Sequence, residues 1–157
     1  MPEMPVIDVV SDANVALKWF HAEGEEEVSE ARALVAAHQA STVALQVLDL
    51  TAYEVGNALL RGRARATASQ VATVLGALAE VCPAIRPNVD ELRLAAELGA
   101  RHDLTLYAAA YAAVAENRGA ILATLDRALL KAGLGSRPSE VAERLLSADP
   151  PQRRKPR

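Results

Sequence analysis

The amino-acid sequence predicts the α/β fold class, with a parallel β-sheet that is covered by helices on both faces. Short apolar stretches alternate along the chain with longer stretches of helical periodicity, and this alternation is typical of βαβ units. The composition is uniform over the 157 residues, without internal repeats or a low-complexity linker. The chain is long enough to enclose one substantial core, so we expect a single domain over residues 1–147.

Four strands are predicted, each from a short apolar run. The first run, "VIDVVSD", is β-branched and ends on Ser11-Asp12, which indicates a buried strand followed by a turn. Two prolines limit the third run, "CPAIRP", to a short strand. The four predicted strands cover residues 6–12, 41–48, 82–87 and 120–125.

Helices are predicted from apolar spacing, capping residues and glycine stops. Thr67-x-x-Gln70 is a capping-box pattern that begins one helix, and Asn88-x-x-Glu91 is a weaker version of it. Gly62 is a plausible stop for the helix that follows the second strand. The predicted helices cover residues 25–39, 50–62, 67–81, 88–102, 107–116, 127–135 and 139–147.

Basic residues occur in two local clusters. Arg61, Arg63 and Arg65 lie near the end of one predicted helix, and a second cluster lies in residues 148–157. A solvated helix end and a disordered basic tail are the structural interpretations of these clusters.

Composition argues against several classes of function. The net charge is −3 and aromatic residues make up 3% of the chain, so we expect neither general attraction to phosphate backbones nor base stacking on exposed rings. Cys82 is the one cysteine, which precludes an intrachain disulfide and indicates a reducing compartment. The N-terminus does not resemble a signal peptide, and no apolar stretch approaches the ~20 residues that span a bilayer. We therefore predict a soluble, cytoplasmic protein that does not enter a membrane.

Three acidic residues follow predicted strands. Asp12 follows the first strand, Asp126 follows the fourth, and Glu54 lies in the first turns of the helix after the second. Reactive groups gather beyond the carboxyl ends of parallel strands, so we expect these three side chains at one edge of the sheet. Neighbouring carboxylates repel one another, and a divalent cation removes that conflict. Hard oxygen ligands suit Mg²⁺ or Mn²⁺.

Each of these acids also has a purely structural interpretation. Asp12 and Asp126 precede predicted helices, where aspartate commonly caps the helix. Glu54 lies three residues after Thr51, which is the spacing of a capping box. Each residue taken alone is better interpreted as a helix cap. Their expected position at one edge of the sheet favours the interpretation as a shared site.

Other cofactor and ligand motifs are absent from the sequence. There is no G-x-G-x-x-G, P-loop or G-x-S-x-G. A receiver-type phosphoacceptor fold would need an acidic pair where this chain has Ser11-Asp12. The histidines have no metal-ligand spacing to one another or to Cys82, and are interpreted as ordinary surface or helix residues: His21, His38 and His102.

Three blocks of sequence, in their order and spacing, resemble PIN domains and most closely the VapC toxins of bacterial VapBC toxin–antitoxin pairs. The blocks are "VVSDANVALKWF", "AYEVGNALLRG" and "HDLTLYAAAYAAVAENRGAILATLDRAL", and the resemblance covers residues 6–135. It implies a three-layer α/β/α sandwich with a central parallel sheet. It also implies an Mg²⁺- or Mn²⁺-dependent endoribonuclease, often a homodimer, that is held inactive by an antitoxin whose C-terminal segment lies across the active-site groove.

The resemblance also assigns site residues. The family's acidic positions that this chain retains are Asp12, Glu54 and Asp126. The supporting polar positions are Asn14, Asn57 and Thr124. By resemblance, Asp12 holds the cation, Glu54 orients or deprotonates the attacking water, and Asp126 binds a second metal or a metal-bound water. Thr124 and Asn14 are expected to fix these carboxylates by hydrogen bonds.

The remaining acidic position lacks its carboxylate. The family pattern Leu-(Ser/Thr)-x-Tyr-Asp-Ala corresponds to residues 104–109, where Ala108 stands at the aspartate position and vacates a metal-ligand position. Asp103 would have to reach the site from a different backbone position, so it is not an expected substitute. The alanine is either a deliberate change that disarms a toxin or a feature of a natural degenerate copy that retains partner binding.

Two functions are therefore predicted. The first is an endoribonuclease toxin that is inactivated because Ala108 replaces a ligand. The alternative is a non-catalytic PIN-like module that binds an antitoxin or RNA without cleaving it.

Overall fold

A computed structural model describes residues 5–22, 26–63 and 65–147. The predicted tail, residues 148–157, lies outside the described residues. The four strands are β1 (Ile7–Ser11), β2 (Val43–Leu48), β3 (Ala84–Ile85) and β4 (Ile121–Ala123). They form one sheet in the order β3-β2-β1-β4, and each neighbouring pair is parallel. The prediction of a parallel sheet is confirmed.

The described residues form eight α-helices. They are α1 (Ala13–Ala16), α2 (Val28–Gln39), α3 (Thr51–Arg61), α4 (Ala68–Val81), α5 (Val89–His102), α6 (Leu106–Asn117), α7 (Arg127–Lys131) and α8 (Pro138–Ser147). A 3-10 turn at Leu17–Trp19 follows α1. The helix expected after Asp12 is α1, and the Asp12 side chain caps it. The sequence did not predict its bounds or the turn, because a four-residue helix is too short to show a period of 3.6. None of the helices in this part of the chain is long and apolar enough to cross a lipid bilayer.

The predicted helix over residues 127–135 is wrong in its second half. The structure ends α7 at Lys131 and turns the chain at Gly133, whose φ is +72°. Ser136 then pairs with the end of β4: its N–H donates to the carbonyl of Leu122 at 2.8 Å, and its carbonyl accepts from Thr124 N at 2.9 Å. Residues after Lys131 are not helical because the chain turns back at Gly133 to place Ser136 beside β4.

The sheet separates two apolar cores. Neighbouring residues of β1 point to opposite faces, so that Val9 packs into one core and Val10 into the other. The first core is built mainly with side chains of α1, α2, α3 and α4, and the second with those of α5 and α6. This arrangement confirms the three-layer α/β/α sandwich.

Helix α6 is buried along its middle. Every residue from 109 to 115 is at most 3% exposed, and the helix lies between the sheet and α5. Five of these seven residues are alanine, whose single methyl allows the backbones of neighbouring elements to approach closely. Alanine also loses no side-chain freedom in a helix. The alanine-rich sequence is therefore explained by the place of α6 in the fold.

An ion pair between a buried glutamate and a partly exposed arginine connects the start of α5 to the end of α6. Glu91 is 1% exposed and accepts hydrogen bonds from Arg118 Nε at 2.9 Å, Arg118 Nη2 at 3.0 Å and Asn117 Nδ2 at 3.2 Å. Glu91 also completes the predicted capping box with Asn88. The Arg118 hydrogen bonds lower the pKa of Glu91 from an ordinary value of 4.5 to about 2.

We predict that Glu91→Gln lowers the free energy of unfolding at pH 7 by about 2 kcal/mol, because the Arg118 guanidinium loses its carboxylate partner. Urea denaturation measures this difference. Since the pKa of Glu91 is lower in the folded state, its stabilising contribution is present above about pH 5 and is lost as the pH falls toward 2. The difference in unfolding free energy between wild type and Glu91→Gln should therefore become smaller as the pH falls from about 5 toward 2.

The matched control is Glu97→Gln, at an exposed position of the same helix, which should change stability by less than about 0.5 kcal/mol. A gap between wild type and Glu91→Gln that stayed constant down to pH 2 would contradict this account.

Candidate active site

Asp12 lies where β1 ends and α1 begins. Its backbone N–H donates to the carbonyl of Ala123 at 2.9 Å, which holds it beside the end of β4. Its Oδ1 accepts from the N–H of Ala13 at 2.7 Å, and its Oδ2 accepts from the Thr124 hydroxyl at 2.7 Å. The residue is only 6% exposed, and this burial raises the pKa of the Asp12 carboxyl to about 6 despite both hydrogen bonds.

Asp126 caps α7 and shares Thr124 with Asp12. Its Oδ1 accepts from the backbone N–H groups of Ala128 at 2.8 Å and Leu129 at 3.1 Å. Its own N–H donates to Thr124 Oγ1 at 3.0 Å. The Thr124 hydroxyl therefore accepts a hydrogen bond from the backbone N–H of Asp126 and donates one to the carboxylate of Asp12. Within the described part of the chain, the second oxygen of Asp126 has no hydrogen-bond partner.

The capping-box interpretation of Glu54 is wrong. Helix α3 begins at Thr51, and Thr51 Oγ1 accepts from the N–H of Leu48 at 3.1 Å, not from the N–H of Glu54. The Glu54 carboxylate instead reaches α6, where its Oε1 accepts from the Tyr111 hydroxyl at 3.0 Å. Burial raises the pKa of Glu54, the Tyr111 hydrogen bond lowers it, and the charge of Asp12 raises it.

Tyr111 is a site neighbour that sequence reasoning missed. The residue is 1% exposed and stands in an alanine-rich stretch of α6. The available signal was one tyrosine within residues 109–115 of the helix, which are otherwise alanine and valine, because a buried hydroxyl needs a hydrogen-bond partner. The identity of that partner, 57 residues away in the chain, could not be inferred from spacing.

Asp12 lies within electrostatic range of both other acids, since the charge of Asp126 raises the pKa of Asp12 and the charge of Asp12 raises that of Glu54. No lysine or arginine forms an ion pair with these three carboxylates in residues 5–22, 26–63 and 65–147. Over the same residues, no three His, Cys, Asp or Glu side chains form a group that could hold a metal ion. The edge is thus negatively charged without a preassembled cage.

Ala108 occupies the third position of α6. Its N–H donates to the Thr105 hydroxyl at 3.2 Å, which caps the helix. Residues three apart lie on the same side of a helix, so position 108 shares a side with Tyr111, which contacts Glu54. A methyl group at this position supplies no ligand. Asp103 caps the end of α5 in the left-handed conformation and is exposed.

The supporting polar residues have different surroundings. Thr124 bonds a carboxylate as expected, but Asn14 does not: its Oδ1 accepts from the backbone N–H of Leu125 at 3.1 Å and so holds the loop after β4. Asn57 is exposed one turn after Glu54. Glu54 and Asn57 line a groove of about 940 Å³ beside α4. The apolar lining of this groove includes Leu60, Val71 and Leu75.

Comparison with known proteins is consistent with this geometry. A family model described as the PIN domain matches residues 9–134. Ribonuclease VapC3 of Pyrobaculum aerophilum is 34% identical over 125 residues, which cover 77% of this chain and 91% of that protein. Exonuclease VapC9 of the same organism is 43% identical over 91 residues, which cover 55% of this chain and 65% of that protein.

The crystal structure of PAE2754 from Pyrobaculum aerophilum has the same fold. It superposes with a TM-score of 0.63 at 24% sequence identity, over 92% of this chain and 99% of that one. The range matched by the family model contains β1 from Val9 onward and all of β2, β3 and β4, together with the three acidic residues and position 108. The chain therefore belongs to the PIN-domain family, as a VapC-type member.

Proposed function

We propose that this chain is a ribonuclease toxin of the VapC type whose own cleavage activity is weak or absent because Ala108 replaces an acidic ligand. The observation that carries the proposal is the edge formed by Asp12, Glu54 and Asp126, where carboxylates accumulate without a cationic side chain to neutralise them. Such an arrangement is destabilising for the empty fold and is typical of sites that bind a cation.

The residues at this edge fit a hard divalent cation by chemistry, although the ligand set is incomplete. Mg²⁺ or Mn²⁺ would be held in part through water molecules, because no three of the described His, Cys, Asp or Glu side chains form a ready ligand group. Oxygens of Asp12, Asp126 and Glu54 are the candidate protein contacts. The methyl group at position 108 leaves one protein ligand missing, so we expect weak binding. A cation bound here would polarise a phosphodiester oxygen and lower the pKa of a bound water.

The chain's own residues would perform the remaining tasks. Glu54 would orient the attacking water and accept its proton through Oε2, for which the described residues offer no hydrogen-bond partner. Thr124 would keep Asp12 and Asp126 in a fixed relative position. Arg61 and Arg63, which are exposed near the end of α3, would contact phosphates that flank the cleaved bond.

The partners follow from the same assignment. We propose a VapB-type antitoxin, whose C-terminal segment would lie across the groove beside Glu54, and a homodimeric assembly in the cytoplasm. The names of the two VapC relatives and the apolar lining of the groove support the antitoxin. The buried free thiol of Cys82 is compatible with a reducing compartment.

A second candidate function is a non-catalytic module that binds the antitoxin or RNA without cutting it. Ala108 favours this candidate, because the methyl group at a metal-ligand position of the family pattern supplies no ligand.

Restoring the carboxylate separates the two candidates. We expect Ala108→Asp to raise Mg²⁺- or Mn²⁺-dependent cleavage of RNA by about 100-fold or more, since loss of a mere supporting hydrogen bond already costs on the order of 10–100-fold. A fluorescent RNA cleavage assay with and without EDTA measures the change. Ala96→Asp is the matched control, because it adds the same charge at an exposed position of α5. A purified Ala108→Asp protein that cuts nothing with either metal would favour the module.

Metal binding gives a readout that needs no substrate. In calorimetric titrations with Mn²⁺, the unchanged chain should bind weakly, and Ala108→Asp should bind about 10-fold to 100-fold more tightly. Tight binding by the unchanged chain would contradict the role assigned to position 108.

The uncompensated charge of Asp12 predicts a stabilising substitution. The pKa of Asp12 is raised from 3.8 to about 6, so its contribution to stability is fully present below about pH 4 and is lost as the pH rises through 6. Asp12→Asn should therefore raise the free energy of unfolding by about 1–2 kcal/mol at pH 7.5 in EDTA, and by less at pH 4.5. Denaturant titrations at the two pH values test this, and an equal effect at both would refute it.

A further inference from the structure

We propose that Thr51 and Tyr111 are positioning residues that hold Glu54 in one orientation through a directional chain of hydrogen bonds. The inference rests on the proposed function, because it assigns how the acid at that site is held. Neither residue belongs to the site predicted from the sequence.

The chain of hydrogen bonds crosses three elements. It starts at the backbone N–H of Leu48 at the end of β2, which donates to Thr51 Oγ1 at 3.1 Å. Thr51 Oγ1 lies 2.6 Å from the Tyr111 hydroxyl of α6. Tyr111 in turn contacts Glu54 Oε1 on α3 at 3.0 Å. The carboxylate is thereby tied to the sheet through a residue of the opposite helical layer.

The two ends of the chain fix the direction of every hydrogen bond in it. A backbone N–H can only donate, an ionised carboxylate can only accept, and each hydroxyl has a single proton. Tyr111 must donate its proton to Glu54, so the proton between Thr51 and Tyr111 must belong to Thr51. All three hydrogen bonds therefore run toward the carboxylate, and each polarises the next.

Burial makes this chain stiff. Thr51 is fully buried and Tyr111 is 1% exposed, so a hydroxyl that rotated away would be left without water or a partner, at the cost of its desolvation. Tyrosine has only two side-chain torsions, and α6 is packed along the length that carries it. Glu54 is half-buried and would otherwise be free to sample several rotamers.

The chain leaves the chemistry of Glu54 unobstructed. It occupies only Oε1, and within the described residues Oε2 keeps no hydrogen-bond partner. Asp12 is held in a similar way, because the Thr124 hydroxyl donates one hydrogen bond to one of its carboxylate oxygens. The Tyr111 hydroxyl thus donates to a predicted site residue and not to a group elsewhere in the core.

The kinetic test is a double-mutant cycle in the Ala108→Asp background. Tyr111→Phe and Thr51→Val should each lower kcat for RNA cleavage by about 10-fold or more with KM changed less than about 3-fold, because substrate contacts are untouched. Thr51→Ser keeps the hydroxyl and should retain kcat within about 3-fold. In a Glu54→Gln background, Tyr111→Phe should have no further effect on the residual rate. If Tyr111→Phe lowered kcat by the same factor in the presence of Glu54 and in the Glu54→Gln background, the proposal would be overturned.

A second measurement needs neither metal nor activity. In the unchanged chain, Tyr111→Phe should lower Tm by about 2–5 °C, and in combination with Glu54→Ala the shift should be smaller than the sum of the two single shifts. Additive shifts would overturn the proposal even if the restored enzyme cleaves RNA. Non-additive shifts together with an inactive Ala108→Asp protein would retain the hydrogen-bond chain and reject the proposed ribonuclease function instead.

Discussion

The hydroxyl of Thr124 is the contact on which the acidic edge depends. It donates to the carboxylate of Asp12, which lies 112 positions earlier in the chain, and accepts from the backbone N–H of Asp126. The parallel pairing of β1 with β4 makes this contact possible, because it brings the ends of the first and last strands side by side. The fold therefore holds negative charges together that would separate in solution, and it is stable because the two apolar cores outweigh that repulsion.

Apolar burial and the polar contacts of the acidic edge are made largely by different parts of this domain. The sheet and the buried face of α6 provide apolar burial, whereas the polar contacts at the edge are made by the first residues of helices and by loops. Helix α6 contributes to both. Its residues 109–115 are buried among the sheet and α5, and the hydroxyl of Tyr111 extends from that core to the edge.

Much of the fold followed from local sequence rules. Apolar alternation predicted the parallel sheet, and the patterns at Thr67 and Asn88 predicted two capping boxes that the structure confirms. A helix was expected after Asp12, but the bounds of α1 could not be predicted because a four-residue helix has no detectable period. The position of the three acids near one edge follows from topology alone, since the carboxyl ends of parallel strands meet there.

The contacts of the site were harder to predict, because they depend on how distant elements pack. The spacing of Thr51 and Glu54 matched a capping box, but Thr51 bonds to Leu48 and Tyr111 instead. Asn14 holds the backbone of Leu125 instead of a carboxylate. The Thr51–Tyr111 contact requires the packing of helices on opposite sides of the sheet, and the Asn14–Leu125 contact requires the pairing of β1 with β4. Local propensity contains no information about either arrangement.

Ala108 directly precedes the fully buried stretch of α6 and is itself partly buried against the second core, which has an evolutionary consequence. Helix α6 starts at the Thr105 cap and is anchored by residues 109–115. A methyl group at position 108 adds a small apolar contact and no charge, whereas a carboxylate would add one more negative group to the side of the helix that carries Tyr111. Folding by itself would therefore favour the methyl group, and under the proposed function only metal-dependent chemistry would select for the carboxylate.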